Sequence, residues 1–112
     1  MNTEPDNHEI LEVDNSPIVV TTITSGGRRL KARAPLAFTV KVDLETQTYE
    51  AEGPFDVVSG AETRPELEEN LEAELAMLWS EYAMADPAIL TPAAQRLRVE
   101  LIAAFEETAN AA

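Results

Sequence analysis

Few residues of this 112-residue chain combine chemically able side chains with the spacing that chemistry needs. The only histidine, His8, lies in an N-terminal stretch that nothing in the sequence would hold to the geometry of a general base. Cysteine is absent, which excludes disulfides, thiolate nucleophiles and cysteine-ligated metal. A Ser-His-Asp or Cys-His arrangement has no place here. Gly26-Gly27 lacks the further glycines and the lysine of a phosphate-binding loop. Asp43 to Thr48 (DLETQT) alternates oxygen-bearing side chains, but Thr48 stands where a calcium loop needs glycine. The least ordinary acids are Glu74 and Glu81, seven positions apart in a helical pattern. At about 100° per residue they fall between the leucine stripe and a second apolar pair, Met77 and Met84. If partly buried, they would need cationic partners from Arg96, Arg98 or the basic strand, because an unpaired buried carboxylate is costly. As a pair with one raised pKa they would be an acid-base couple; facing water they would be rim carboxylates.

These residues sit on elements that the pattern defines. From Pro17 the chain reads as strand. Ile18 to Thr24 is β-branched throughout, and Ser25-Gly26-Gly27 supplies a turn, so an N-terminal strand or hairpin is expected. Leu36, Phe38, Val40 and Val42 alternate with Ala37, Thr39 and Lys41, the period of a half-buried strand. Further strands are expected at Thr48 to Glu52 and Phe55 to Ala61, completing a three-stranded antiparallel meander, with Pro35 and Pro54 at strand starts or an edge. The period then becomes helical. Thr63-Arg64-Pro65-Glu66 fits a capping box, and Leu67, Leu71, Leu75, Leu78, Trp79 and Tyr82 form one stripe that Asp86-Pro87 ends. Thr91-Pro92 opens a second helix with Leu97, Leu101, Ala104 and Phe105 on its face. The expected fold is α+β: an antiparallel sheet packed on one long helix, with a second C-terminal helix. The expected organisation is a flexible acidic tail over 1–16, one domain over 17–108 and a frayed end over 109–112.

Charge narrows the function classes. The net charge is -13, with 21 acidic residues against 8 basic ones. A surface of that sign repels phosphate backbones and anionic lipid, so neither nucleic acid nor membrane is an expected partner. The first 16 residues lack the basic start and the apolar run of a signal peptide or span, so a cytoplasmic protein is expected. The charge is also polarised: residues 28 to 42 hold five bases (Arg28, Arg29, Lys31, Arg33, Lys41) and no acid. Arg29, Lys31 and Arg33 would line one strand face with Leu30 and Ala32 inward, complementing the glutamate-rich helix or the acidic tail and discouraging edge-to-edge pairing. That helix carries Glu66, Glu68, Glu69, Glu72, Glu74 and Glu81, the earliest of them favoured by the helix dipole. Val99 and Ile102 lie opposite Leu97 and Leu101, and with Met77 and Met84 they leave apolar surface that one helix face does not bury. A wider intrachain core, a second copy of the chain or a different protein would cover it.

The stretch FTVKVDLETQTYEAEGPFDVVSGAETRPELEENLEAEL, Phe38 to Leu75, resembles the small HicB-like domain of bacterial antitoxins. That family has three antiparallel strands and then a helix, and Gly60, Thr63, Glu66, Asn70 and Leu71 match its junction. The resemblance implies a non-catalytic, cofactor-free domain that binds and neutralises a basic partner, typically an RNase toxin. Full antitoxins continue into a DNA-binding module. Only one helix follows here, so operator binding is not expected. The contact residues expected on this basis are Glu68, Glu69, Glu72, Glu74, Glu81, Met77, Met84, Val99 and Ile102. The alternatives are a structural or accessory homodimer encoded within a phage or mobile element, and a carboxylate-dependent enzyme built on Glu74 and Glu81.

Overall fold

A computed structural model describes residues 14–108. The elements run β1 (Ile18–Ser25), β2 (Arg28–Asp43), β3 (Thr48–Glu52), β4 (Val58–Ala61), α1 (Arg64–Leu78), α2 (Pro92–Ala104) and β5 (Phe105–Glu107). The fold is α+β, as the hydrophobic periods imply. All strand pairs are antiparallel, in the order β1-β2-β3-β4, with β5 added beside β2.

β2 is the spine. Its even-numbered residues from Leu30 to Val42 face inward except Ala34, while Arg29, Lys31 and Arg33 stay exposed. β1 pairs along one side of it from Ile18↔Phe38 to Ser25↔Arg28. The other side carries two ladders, to β5 at Leu30, Lys31 and Ala32 and to β3 from Thr39 to Asp43. Pro35, expected at a strand start, is instead in the middle of this 16-residue strand. It is tolerated because neither ladder on the second side reaches it and the β1 register slips between Val20 and Thr22, so its missing N–H breaks no pairing.

Two further boundaries differ from expectation. The strand expected from Phe55 begins at Val58, because Pro54–Asp56 forms a 3-10 turn in which Phe55 (φ 63) and Asp56 (φ 58) are left-handed. That conformation costs a non-glycine residue about 1–2 kcal/mol. It stacks Phe55 against Phe105, ring centroids 6.4 Å apart. Phe105, expected on the second helix, has left it: φ -124 and ψ 150 make it extended, the first residue of β5. Its buried ring also meets Trp79 edge-on at 6.2 Å, so this aromatic residue closes the core between α1 and the sheet.

Both helices begin as their sequences dictate. Thr63 Oγ1 accepts the Glu66 N–H and Thr91 Oγ1 the Ala94 N–H, each at 3.2 Å. The reciprocal arm of the first cap is displaced by one residue, since Glu66 Oε1 accepts from the amide of Glu62 at 3.2 Å. Leu67, Leu71, Leu75, Leu78 and Trp79 are buried and Tyr82 half-buried, so the stripe is the core face. Beyond Leu78 the helix widens into a π turn, Trp79–Ala83, closed by Met84 N–H to Trp79 O at 3.1 Å. No described helix is long and apolar enough to cross a membrane.

Candidate partner-binding surface

The acids and exposed apolar residues singled out by sequence do not converge on one site. With Leu67, Leu71, Leu75 and Leu78 turned to the core, helical spacing places the remaining α1 residues on a crest and two flanks. Glu66 and Glu69 lie on the exposed crest. Glu68 and Glu72 share one flank with Arg64 and face β1. Glu74 lies on the opposite flank with Asn70, whose Nδ2 donates to Gly60 O of β4 at 3.1 Å. Glu81 follows the π turn, where each residue advances the helix by less than 100°, so the wheel that aligned it with Glu74 no longer applies. Glu74 is half-buried and Glu81 exposed.

Four of the cations expected to partner these two acids are engaged elsewhere, and among the described residues Arg29, Lys31 and Arg96 enter no ion pair. Arg98 Nε donates to Ala85 O at 3.2 Å, Arg28 pairs with Glu107 at 2.7 Å, Arg33 with Glu106 at 3.3 Å and Lys41 with Glu52 at 3.2 Å. Among the described residues, Glu74 and Glu81 enter no ion pair. Where the bases of β2 are paired, their partners are on β5 (for Arg28 and Arg33) and β3 (for Lys41), and not the helix glutamates. Thr108 strengthens that closure by donating its N–H to Arg29 O at 3.0 Å.

The α1 flank beside β1 brings two of the chosen residues, Glu68 and Glu72, together. An open depression of about 310 Å³ is lined by Ile18 to Thr22 on one side and Arg64, Glu68 and Glu72 on the other. Arg64 fixes its head. Its guanidinium donates to the carbonyls of Asp14 (3.0 Å), Ser16 (2.7 Å) and Pro17 (3.3 Å), and to the Glu68 carboxylate at 3.1 Å. Ser25 Oγ fixes the far end by donating to Ala76 O at 2.9 Å. These two ties align α1 alongside β1. The stretch read as an acidic tail ends in this head: Asp14 accepts from the hydroxyl and the amide of Ser16, which hold its carboxyl below the usual range, with Arg64 adding to the effect. Residues 1–13, including His8, and 109–112 lie outside the described residues.

Met77, Met84, Val99 and Ile102 are 42, 50, 63 and 38% exposed, so the intrachain core does not widen to take them. The Asp43–Thr48 segment is a hairpin turn. Asp43 Oδ1 accepts the Glu45 and Thr46 amides at 2.9 and 3.3 Å, and Gln47 takes the left-handed φ of 57°. Among the described residues no group of three acids or histidines is placed to hold a metal ion. Sequence reasoning missed two members of the groove, Arg64 and the free edge of β1. The spacing of Arg64, Glu68 and Glu72 at i, i+4 and i+8 was the available signal. Compared with protein-family models, with curated proteins and with solved structures, the chain matches none.

Proposed function

We propose that this chain is a non-catalytic binding module of the antitoxin-like, HicB-like type, which holds a basic protein against the acidic outer surface of α1. One observation carries the reading: Glu66, Glu69 and Glu72 stand exposed on a helix whose single cation, Arg64, is already bound to Asp14, Ser16, Pro17 and Glu68. The helix keeps a negative face with one cation, whereas three of the five bases of the basic segment are paired within the chain. The antiparallel run β2-β3-β4 leading through the Thr63 cap into α1 is the element order that the resemblance implies. Such a field steers a cationic partner and raises its association rate by roughly 10- to 1000-fold at low salt. Pull-down with the tagged chain from its native host, at low and high salt, is expected to retain a basic protein more strongly at low salt. Retention of no basic protein at either salt overturns the proposal.

The accessory-homodimer reading draws on a separate observation, the exposure of Met77, Met84, Val99 and Ile102. Light scattering at twice the monomer mass, reduced to one by Ile102→Lys, is the result that reading requires.

A further inference from the structure

β1 is an edge strand. Among the described residues its only strand partner is β2, and the backbone groups on its outer side meet no other described strand. Unpaired edges are templates for pairing, and proteins usually cover or charge them. Here the edge is left open beside a groove whose far wall is α1, tied alongside by Arg64 at one end and Ser25 at the other. The two walls match in length. Five residues of strand from Ile18 to Thr22 span about 13 Å, and the helix from Arg64 to Glu72 about 12 Å.

The wall also has a spacing. Glu68 and Glu72 are one helical turn apart, about 6 Å along the axis. On an extended chain, side chains two positions apart on the same face are about 6.6 Å apart. A strand added to β1 would therefore present every second side chain to one of these carboxylates. The charge is of one sign: among the described residues Glu72 has no cation, Glu68 has only Arg64, and Arg64 is shared with Asp14. We propose that the groove between β1 and α1 takes an extended segment of the basic partner as an added strand, with Arg or Lys at alternate positions against Glu68 and Glu72. This rests on the basic-partner reading above and adds to it where the partner lies, in what conformation and with what sequence pattern. Main-chain pairing would supply affinity and the alternate basic side chains specificity.

The test uses the full chain and two capped peptides of equal composition, Thr-Val-Arg-Val-Arg-Val-Thr and Thr-Val-Arg-Arg-Val-Val-Thr. Only the first sets both arginines on one face of a strand. Amide hydrogen exchange is expected to show new protection within Ile18 to Thr22 with the first peptide, and binding about tenfold tighter than for the second. Glu72→Lys is expected to abolish that preference. Thr21→Pro removes the amide at the position the β1–β2 register skips, and is expected to remove the protection while circular dichroism stays native. Equal affinity for the two peptides, or no binding of either, overturns the inference. Protection elsewhere on the molecule overturns it too while leaving the basic-partner reading standing, which the salt-dependent pull-down judges separately. Concentration-dependent protection of β1 without peptide would assign the edge to a second copy and likewise overturn it.

Discussion

The two flanks of the sheet treat charge in opposite ways. Where β5 meets β2, opposite charges close within the chain: Lys31 lies across from Glu106 in the register, Arg33 pairs with Glu106 and Arg28 with Glu107. Where α1 lies along β1, the helix carries five glutamates and one arginine, and that arginine serves mainly to hold carbonyls. The first arrangement shows opposite charges matched along a strand of three residues that the buried Phe105 anchors. The second shows charge left over after the fold has taken what it needs, which is the part available to a partner.

Burial is expected to outweigh charge on the β5 flank. Phe105→Ala removes a fully buried ring from between Phe55 and Trp79 and should cost about 3–5 kcal/mol in denaturant unfolding. A loss below about 1 kcal/mol would mean that β5 is held by its ion pairs. On the α1 flank, Thr63→Ala should cost about 1 kcal/mol, because the cap bond to the Glu66 amide is lost while the leucine stripe stays buried. Smaller still, Glu107→Gln should change stability by well under 1 kcal/mol, since Arg28 and Glu107 are both about half exposed and water screens the pair. The smallest effect belongs to Asp14. Its carboxyl titrates below the ordinary range because Ser16 donates to its ionised form. The resulting stabilisation is present above the unfolded-state value and is lost as pH falls through the lowered one. Ser16→Ala removes the hydroxyl and should bring the Asp14 titration, followed by NMR, part of the way back up towards the ordinary value; an unmoved titration would show that the Ser16 amide and Arg64 set it without the hydroxyl.

Much of the fold was legible because its signals are local. The alternation through Leu36 to Val42, the two threonine caps followed by proline, and the leucine stripe each depend on residues within a turn or two of one another. The candidate site was legible only in its residues. Glu68 and Glu72 were chosen along with Glu69, Glu74 and Glu81, but a wheel drawn at constant pitch has no means of knowing that the helix widens at Trp79. Nor does it show which flank faces an edge strand.

By itself the sequence determined an α+β chain with a polarised charge, a capped acidic helix and more apolar helix surface than one face can bury. Tertiary structure alone decided that Phe105 leaves its helix to become a strand, that Pro35 is harmless inside β2, and that the basic strand pairs with β5. Those outcomes join residues far apart in sequence, 79 positions for Arg28 and Glu107 and 73 for Arg33 and Glu106. Local propensity carries no information about such pairings. They are selected when burial of the aromatic core brings the end of the chain back to the start of β2, and only then do the charges find one another.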